Sequence, residues 1–550
     1  MKQITILALL FFAFATNNLF PQGILGNGKI SGNFQTDAQY YQKDSLIGAE
    51  EVEEKMLINA FANIVYTNDK FTAGMRFEMY QNPLVGFNRK YKGSGIPYRY
   101  ATYNNGDWEV TVGNYYEQFG NGLLFRSYEE RNLGFDNAMD GIRFRATPHA
   151  AVTIKGIWGN QRSFWDKGEG IVRGLDVDFS INEISEKTSE WKLKLTSGFS
   201  FVSKYQRDQD PLYNLPKNVA GFAGRMGIGY GKFSLNGEYA HKINDPNATN
   251  NMIYKPGEAL MLNAAYSQKG LGILVSALRS DNMDFRSDRY VTENALNINY
   301  IPSLTRQHSY ALSAFYPYAT QFNSQMSFQA QINYKIKKST LLGGKYGTDL
   351  AVNYSRVHDI QKSKMDELTE IGQNGTDGYK SNFFQPGDVL LFEDFNIEIG
   401  KRINKKLKLI ADYIYLTYNK SVLEGHLGDP TVYAHIGIAD FTYRINPKNA
   451  VRLEAQHMYT KQDEGSWANL SAEYTISPMW FFGVGDSYNY GNEIEGKRIH
   501  YYNASVGIVK NNLRFALTYG KQRKGILCVG GVCREVPASN GLAVTLTGTF

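Results

Sequence analysis

Trp108–Ala146 reads WEVTVGNYYEQFGNGLLFRSYEERNLGFDNAMDGIRFRA. It opens with Trp108, Val110 and Val112 alternating against Glu109, Thr111 and Gly113. It closes with Ile142, Phe144 and Ala146 alternating against Arg143 and Arg145. Period-two alternation places successive side chains on opposite faces of a sheet. The stretch between these strands, 116–140, is crowded with glycine and charge, and neither face is consistently apolar. Two strands that are greasy on one face and charged on the other suit a wall between lipid and water. The charged stretch joining them is expected to fold inward, into the lumen of a barrel.

The same pattern recurs outward from this stretch. Met56, Ile58, Ala60, Ala62, Ile64 and Tyr66 form an apolar stripe, Thr67-Asn68-Asp69-Lys70 reads as a tight turn, and Phe71, Ala73, Met75, Phe77 and Met79 carry the stripe back. Thr72, Gly74, Arg76 and Glu78 lie opposite. Burying Arg76 and Glu78 in a soluble core would be costly, whereas facing a wet lumen costs little. Trp191, Leu193, Leu195, Phe199 and Phe201 alternate with Lys192, Lys194, Thr196 and Ser200 in the same way. Short turns alternate with longer polar loops, among them Gly159–Gly170, Asp281–Tyr290 and His358–Gly387, and Pro302–Gln307 reads as another short turn. The class is therefore an all-β, transmembrane, antiparallel up-and-down barrel of about 26 strands, with roughly 24 to 28 compatible with the pattern.

Composition agrees. The chain has 38 Tyr, 32 Phe and 53 Gly but only 15 Pro, which suits many one-sided strands and short turns. No linker or low-complexity tract divides it, so 23–550 is expected to be a single domain, with 116–140 as its lumen insertion. Met1-Lys2-Gln3 followed by ITILALLFFAFA has the charged start and apolar run of a signal peptide spanning 1–22, with cleavage between residues 15 and 22. A net charge of +6, dispersed along strands, gives no case for nucleic acid.

The insertion carries Glu117, Arg126, Glu129, Glu130, Arg131, Asp136 and Asp140. Opposed charges in a pore can sort polar solutes; the same charges can instead pin a plug to the wall. Arg143 and Arg145 are the expected wall partners of the loop acids. Cys528 and Cys533, the only cysteines, sit in a long loop of an exported chain, where a local disulfide is expected. The eight histidines are scattered, with no H-E-x-x-H and no G-x-S-x-G, so no enzyme is expected. The acids Asp359, Asp366, Glu367, Glu370 and Asp377 lie in the loop His358–Gly387 and read as a solvated loop without EF-hand spacing. No metal or cofactor is expected.

The run Gly113–Phe144, GNYYEQFGNGLLFRSYEERNLGFDNAMDGIRF, resembles the signature of a group of large Bacteroidota outer-membrane barrels of unknown function. That resemblance brings no activity and no site residues. The final strand, with Gly541, Val544, Leu546 and terminal Phe550, is similar to the C-terminal signal that outer-membrane barrels present to their assembly machinery. No plug-sized segment precedes the first strand, unlike the TonB-dependent transporters, so energised import by that route is not expected. The expected location is the outer membrane of a Gram-negative cell, in contact with its lipid and, during biogenesis, with the barrel-assembly machinery. Two functions fit: a porin-like channel or diffusion transporter with a charged constriction loop, and a plugged barrel serving as scaffold or accessory subunit of an envelope secretion or assembly complex.

Overall fold

The computed structural model describes residues 28–292, 295–529 and 532–550; the signal peptide expected over 1–22 lies outside them. The wall is one sheet of 24 strands. Each strand pairs antiparallel with its neighbours in the chain, and the first, Lys29–Gln42, pairs with both Met56–Asn68 and the last, Ser539–Thr549. That last pairing closes the ring. Gly541 opposes Tyr41, Val544 opposes Ala38 and Leu546 opposes Thr36, while Phe550 exchanges both backbone bonds with Gly32 at 2.9 Å. An even strand number leaves both ends of the wall on the short-turn side, where Asp69 and Asn511 take the positive φ their tight turns demand.

The alternation is realised as a lipid face and a lumen face. Val112, Ile142, Phe144 and Trp158 are exposed on the outside, and Thr111 and Ile157 are buried on the inside. Inward positions change character along the strands. Near the short turns they are polar and exposed, as at Lys194, Asn236, Asn333 and Glu473. Toward the long loops they are buried, as at Val202, Lys204, Ala240 and Lys242. The lumen is therefore a wet cup at the short-turn end and packed protein at the other.

Three segments leave the wall and fold into that packed half. Residues 116–138 join Trp108–Tyr115 to Met139–His149, which pair directly as if the segment were a hairpin turn. Residues 282–323 do the same between Leu271–Asp281 and Ser324–Ile336. Residues 523–538, which contain the small hairpin Gly525–Val529 and Val532–Val536, join Leu513–Gln522 to Ser539–Thr549.

The count of 24 lies at the lower end of the roughly 24 to 28 strands the pattern allows, and the second segment accounts for the difference from 26. Its alternating run around Leu296–Ile301 reads as wall, and Pro302–Gln307 as a turn between wall strands. Yet Leu296, Asn297, Ile298, Asn299 and Ile301 are all buried, so both faces are covered by protein. Among the described residues the run makes only an isolated bridge, Asn297 with Arg286, Leu296 takes a positive φ, and its backbone bonds go to other inserted backbone. Ser287 N–H donates to Leu296 O and Ile298 N–H to Phe285 O, while Arg126 N–H donates to Ile298 O at 2.8 Å and Tyr300 N–H to Gly122 O at 2.9 Å. Two expected loops also shrink. Gly159–Gly170 is mostly wall, with Val152–Ser163 and Asp166–Ser180 turning at Phe164-Trp165. Within His358–Gly387, only 364–379 lies outside the strands Thr348–Ser363 and Lys380–Arg402.

A charge on the lipid face should be far more damaging than one on the neighbouring lumen face. Leu262→Arg, midway along Gly257–Gln268, is expected to lower stability by about 2–4 kcal/mol, and Asn263→Arg by under about 1 kcal/mol, in urea titrations of the barrel in lipid.

Candidate functional site

Inside the packed half, an ionic clamp joins the first insertion to the wall. Arg76 and Glu78 stand two residues apart on Phe71–Gln81 and so share its inward face. Arg162 comes from Val152–Ser163. Arg162 forks onto Glu78 at 2.8 and 2.6 Å and reaches Asp136 of the insertion at 2.6 Å. Arg76 bonds Glu78 at 2.7 Å and the insertion's Glu129 at 2.9 Å, and also bonds Asp136. Arg131 returns to Glu129 at 3.1 Å, and its guanidinium lies 4.4 Å from the centre of the Phe61 ring. Tyr116 donates to Asp136 at 3.0 Å and stacks on Tyr98, over which Arg76 also sits. Arg76, Arg131 and Arg162 balance Glu78, Glu129 and Asp136, and the Arg76, Glu78 and Arg162 side chains are at most 4 % exposed. Paired in this way, buried charges hold a geometry; losing one member strands the others in a low dielectric.

A second ionic chain runs along the wall below the insertion. Arg143 bonds Glu109 closely and faces Glu117 at 3.7 Å; Lys155 stands 3.8 Å from Glu117 and 3.5 Å from Asp176; Arg225 pairs with Asp176 at 2.8 Å. Arg145 sits in register between Glu109 and Lys155. The expected wall partners are thus only partly engaged with the insertion. Arg143 meets one loop acid, at 3.7 Å, whereas the guanidiniums that bond the loop acids closely are Arg76 and Arg162.

The nine charged residues expected to form one site are dispersed. Glu129, Arg131 and Asp136 meet in the clamp, and Glu117 joins Arg143. Asp140 pairs with Lys167 at 3.0 Å. Arg126 is held by rings, 4.5 Å from the centre of Tyr128 and 4.1 Å from that of Tyr300. Glu130 pairs through its backbone with Phe135 in a two-residue ladder. Opposed charges do not face each other across open water here.

Apolar packing completes the filling. Phe119, Leu123, Leu124 and Phe125 are fully buried against Ile157, Val172, Val202 and Val219 of the wall and against Phe285, Ile298 and Ile301 of the second insertion. Farther along that insertion, Leu312, Tyr316 and Tyr318 form another core with Phe392, Leu416, Tyr418 and Trp467. The third segment carries the Cys528–Cys533 disulfide and sets Val532 against Leu133 and Phe135. Gln307 Nε2 donates to Cys528 O at 3.2 Å, so the second and third insertions touch as well.

Two wall lysines that the sequence did not mark anchor the second insertion. Lys204 Nζ donates to Arg286 O at 2.7 Å and Lys242 Nζ to Asp284 O at 2.5 Å; both flank the Phe285 ring and share Asp245, at 2.7 and 3.4 Å. Each is the last inward position before a long loop, which is the only trace of the role in the sequence. Glu424, His426 and Asp429 approach one another closely enough to share a cation, but they lie on a partly exposed loop where Lys420 is already 3.5 Å from Asp429.

Removing one member of the clamp should free the first insertion. Arg162→Ala, which leaves Glu78 and Asp136 to share the single guanidinium of Arg76 with Glu129, is expected to destabilise the packed half by about 3–5 kcal/mol. Limited proteolysis of the folded barrel should then cut within 126–137, a region resistant in the unaltered protein.

Among solved structures, the chain is similar to the P pilus usher (PapC) translocation pore, at 7 % identity over 95 % of this chain and 99 % of that one, with a TM-score of 0.44. It is similar to the siderophore receptor PirA from Pseudomonas aeruginosa, at 8 % identity over 95 % and 80 %, with a TM-score of 0.38. A mutant of the Rh. blastica porin matches at 13 % identity over 65 % and 100 %, with a TM-score of 0.25. None of the three says what this chain does. No curated protein matches it. Over residues 1–550 it matches the model of a family of unknown function (DUF6029), and the chain belongs to that family.

Proposed function

We propose that this protein is an outer-membrane barrel of the transport class that is closed at rest on its loop side by its own folded insertions. The observation that carries this reading is the complete burial of Phe119, Leu123, Leu124 and Phe125 between the wall and the second insertion. A constriction loop in a standing pore keeps one face toward water. Here the consecutive residues Leu123, Leu124 and Phe125 have protein on both faces, and the ionic clamp of Arg76 and Arg162 fixes the insertion's far end. Each buried side chain of this kind contributes about 1.5–3 kcal/mol, so a passing solute has no means of displacing the segment. Opening requires something that binds: a partner in the envelope, or a ligand on the loop side.

The exposed polar cup at the short-turn end supports a role for such a partner, because it offers Lys194, Asn236, Asn333 and Glu473 to whatever enters from that side. In this reading 23–550 is one membrane domain in the outer membrane of a Bacteroidota-type cell. Its closing strand, with Gly541, Val544, Leu546 and Phe550, is the part the assembly machinery engages.

Single-channel recording in planar bilayers tests the closed state. The intact barrel is expected to be silent, and deletion of Gly122–Asn137 to produce conductance. Steady conductance of the intact protein, with only its ion preference altered by the deletion, would instead establish a porin-like channel with a constriction loop.

A further inference from the structure

Between the disulfide-closed hairpin and the wall lies a cavity of about 490 Å3. Its lining includes Lys521, Arg523 and Arg534 and, among the described residues, no carboxylate. The three cations are compensated unequally. Lys521 is paired with Asp44 at 2.7 Å, while Arg523 reaches Glu464 only at 3.9 Å. Arg534 has no ion pair among the described residues. Among the described residues its one side-chain hydrogen bond is a long 3.4 Å contact to Val85 O, its Nε is buried without a partner, and its guanidinium lies over Phe87 at 4.3 Å. Burial pushes its pKa below the ordinary value. Asp136 and Glu535 line a separate, adjoining cavity of about 460 Å3 that Arg534 also borders.

Tyr41, Phe87, Phe315, Trp467 and Tyr501 add five rings to a lining that is otherwise aliphatic and uncharged polar. Phe315 lies 3.5 Å beneath the Arg523 guanidinium and packs edge-on against Trp467 at 5.1 Å, and Trp467 lies 5.6 Å from Tyr501. The Trp467 indole N–H is buried with no acceptor. Unused donors and under-compensated positive charge beside flat rings match a negatively charged, hydrogen-bond-accepting ligand with a ring of its own. The volume falls within the range of roughly 300–1,000 Å3 in which small-molecule sites lie. Gln522 and Leu527 on the lining are exposed, so the cavity opens to solvent.

We propose that this cavity binds a small carboxylated ring compound, its carboxylate held by Arg534 and Arg523 and its ring against Trp467 and Tyr501. Binding here does not depend on whether the barrel conducts, so calorimetry on the cavity and current through the lumen can succeed or fail separately.

The test is titration of the purified full-length barrel in micelles with benzoate and glucuronate, read by calorimetry and tryptophan fluorescence, beside the uncharged counterparts benzyl alcohol and glucose. The carboxylates should saturate, with the uncharged compounds weaker by about tenfold or more, and Arg534→Gln should weaken carboxylate binding by about the same factor. Heat-modifiable migration on gels establishes that the variant is a folded barrel; if it is not, Arg523→Gln is used in its place with the same expectation. Equal affinity for charged and uncharged probes, unchanged affinity in the folded arginine variant, or no saturable binding of either carboxylate would each overturn the assignment.

Discussion

A polypeptide wall surrounded by lipid has no water to satisfy its amides, so every strand must find two neighbours. Here the pairing of Ser539–Thr549 with Lys29–Gln42 meets that demand, and much else follows from it. A ring of 24 strands encloses more width than its own inward side chains can fill. The excess is taken up by chain that leaves the wall at three places and returns in register, so the wall stays unbroken while the lumen acquires a core.

That core uses two kinds of interaction for two purposes. Apolar contacts among Phe119, Leu123, Phe285, Ile298 and the small wall side chains supply the attraction that keeps the insertions inside. The buried charges supply orientation. Arg162 satisfies Glu78 of the wall and Asp136 of the insertion at once, a geometry only one placement of the loop permits. Lys204 and Lys242 do the same for the second insertion through its backbone carbonyls. Inward charges near the short turns, such as Lys194 and Glu473, are exposed instead.

The architecture was legible in the sequence because lipid imposes a one-sided pattern on each strand, and Trp108–Val112 and Ile142–Ala146 display it plainly. The number of strands was less legible. Period-two alternation reports an extended backbone with two different faces, not what those faces touch, and Leu296–Ile301 alternates while lying wholly inside. The first insertion stood out by its charge, but its partners did not. Arg76 was visible as an inward residue, whereas Arg162 was hidden within Gly159–Gly170, a polar stretch that reads as loop and is mostly wall. Lys204 and Lys242 carry no local signal, since their role comes from a segment that reaches them across the lumen.

The central claim is that the insertions are folded structure within the lumen, and backbone hydrogen exchange of the barrel in nanodiscs tests it most directly. The amides of Arg126, Ile298 and Tyr300, each bonded to other inserted backbone, should exchange as slowly as those of the wall strand Leu193–Tyr205. If they exchange as quickly as the amides of the outer loop 366–377, the insertions are not packed in the lumen and the closed-barrel account fails.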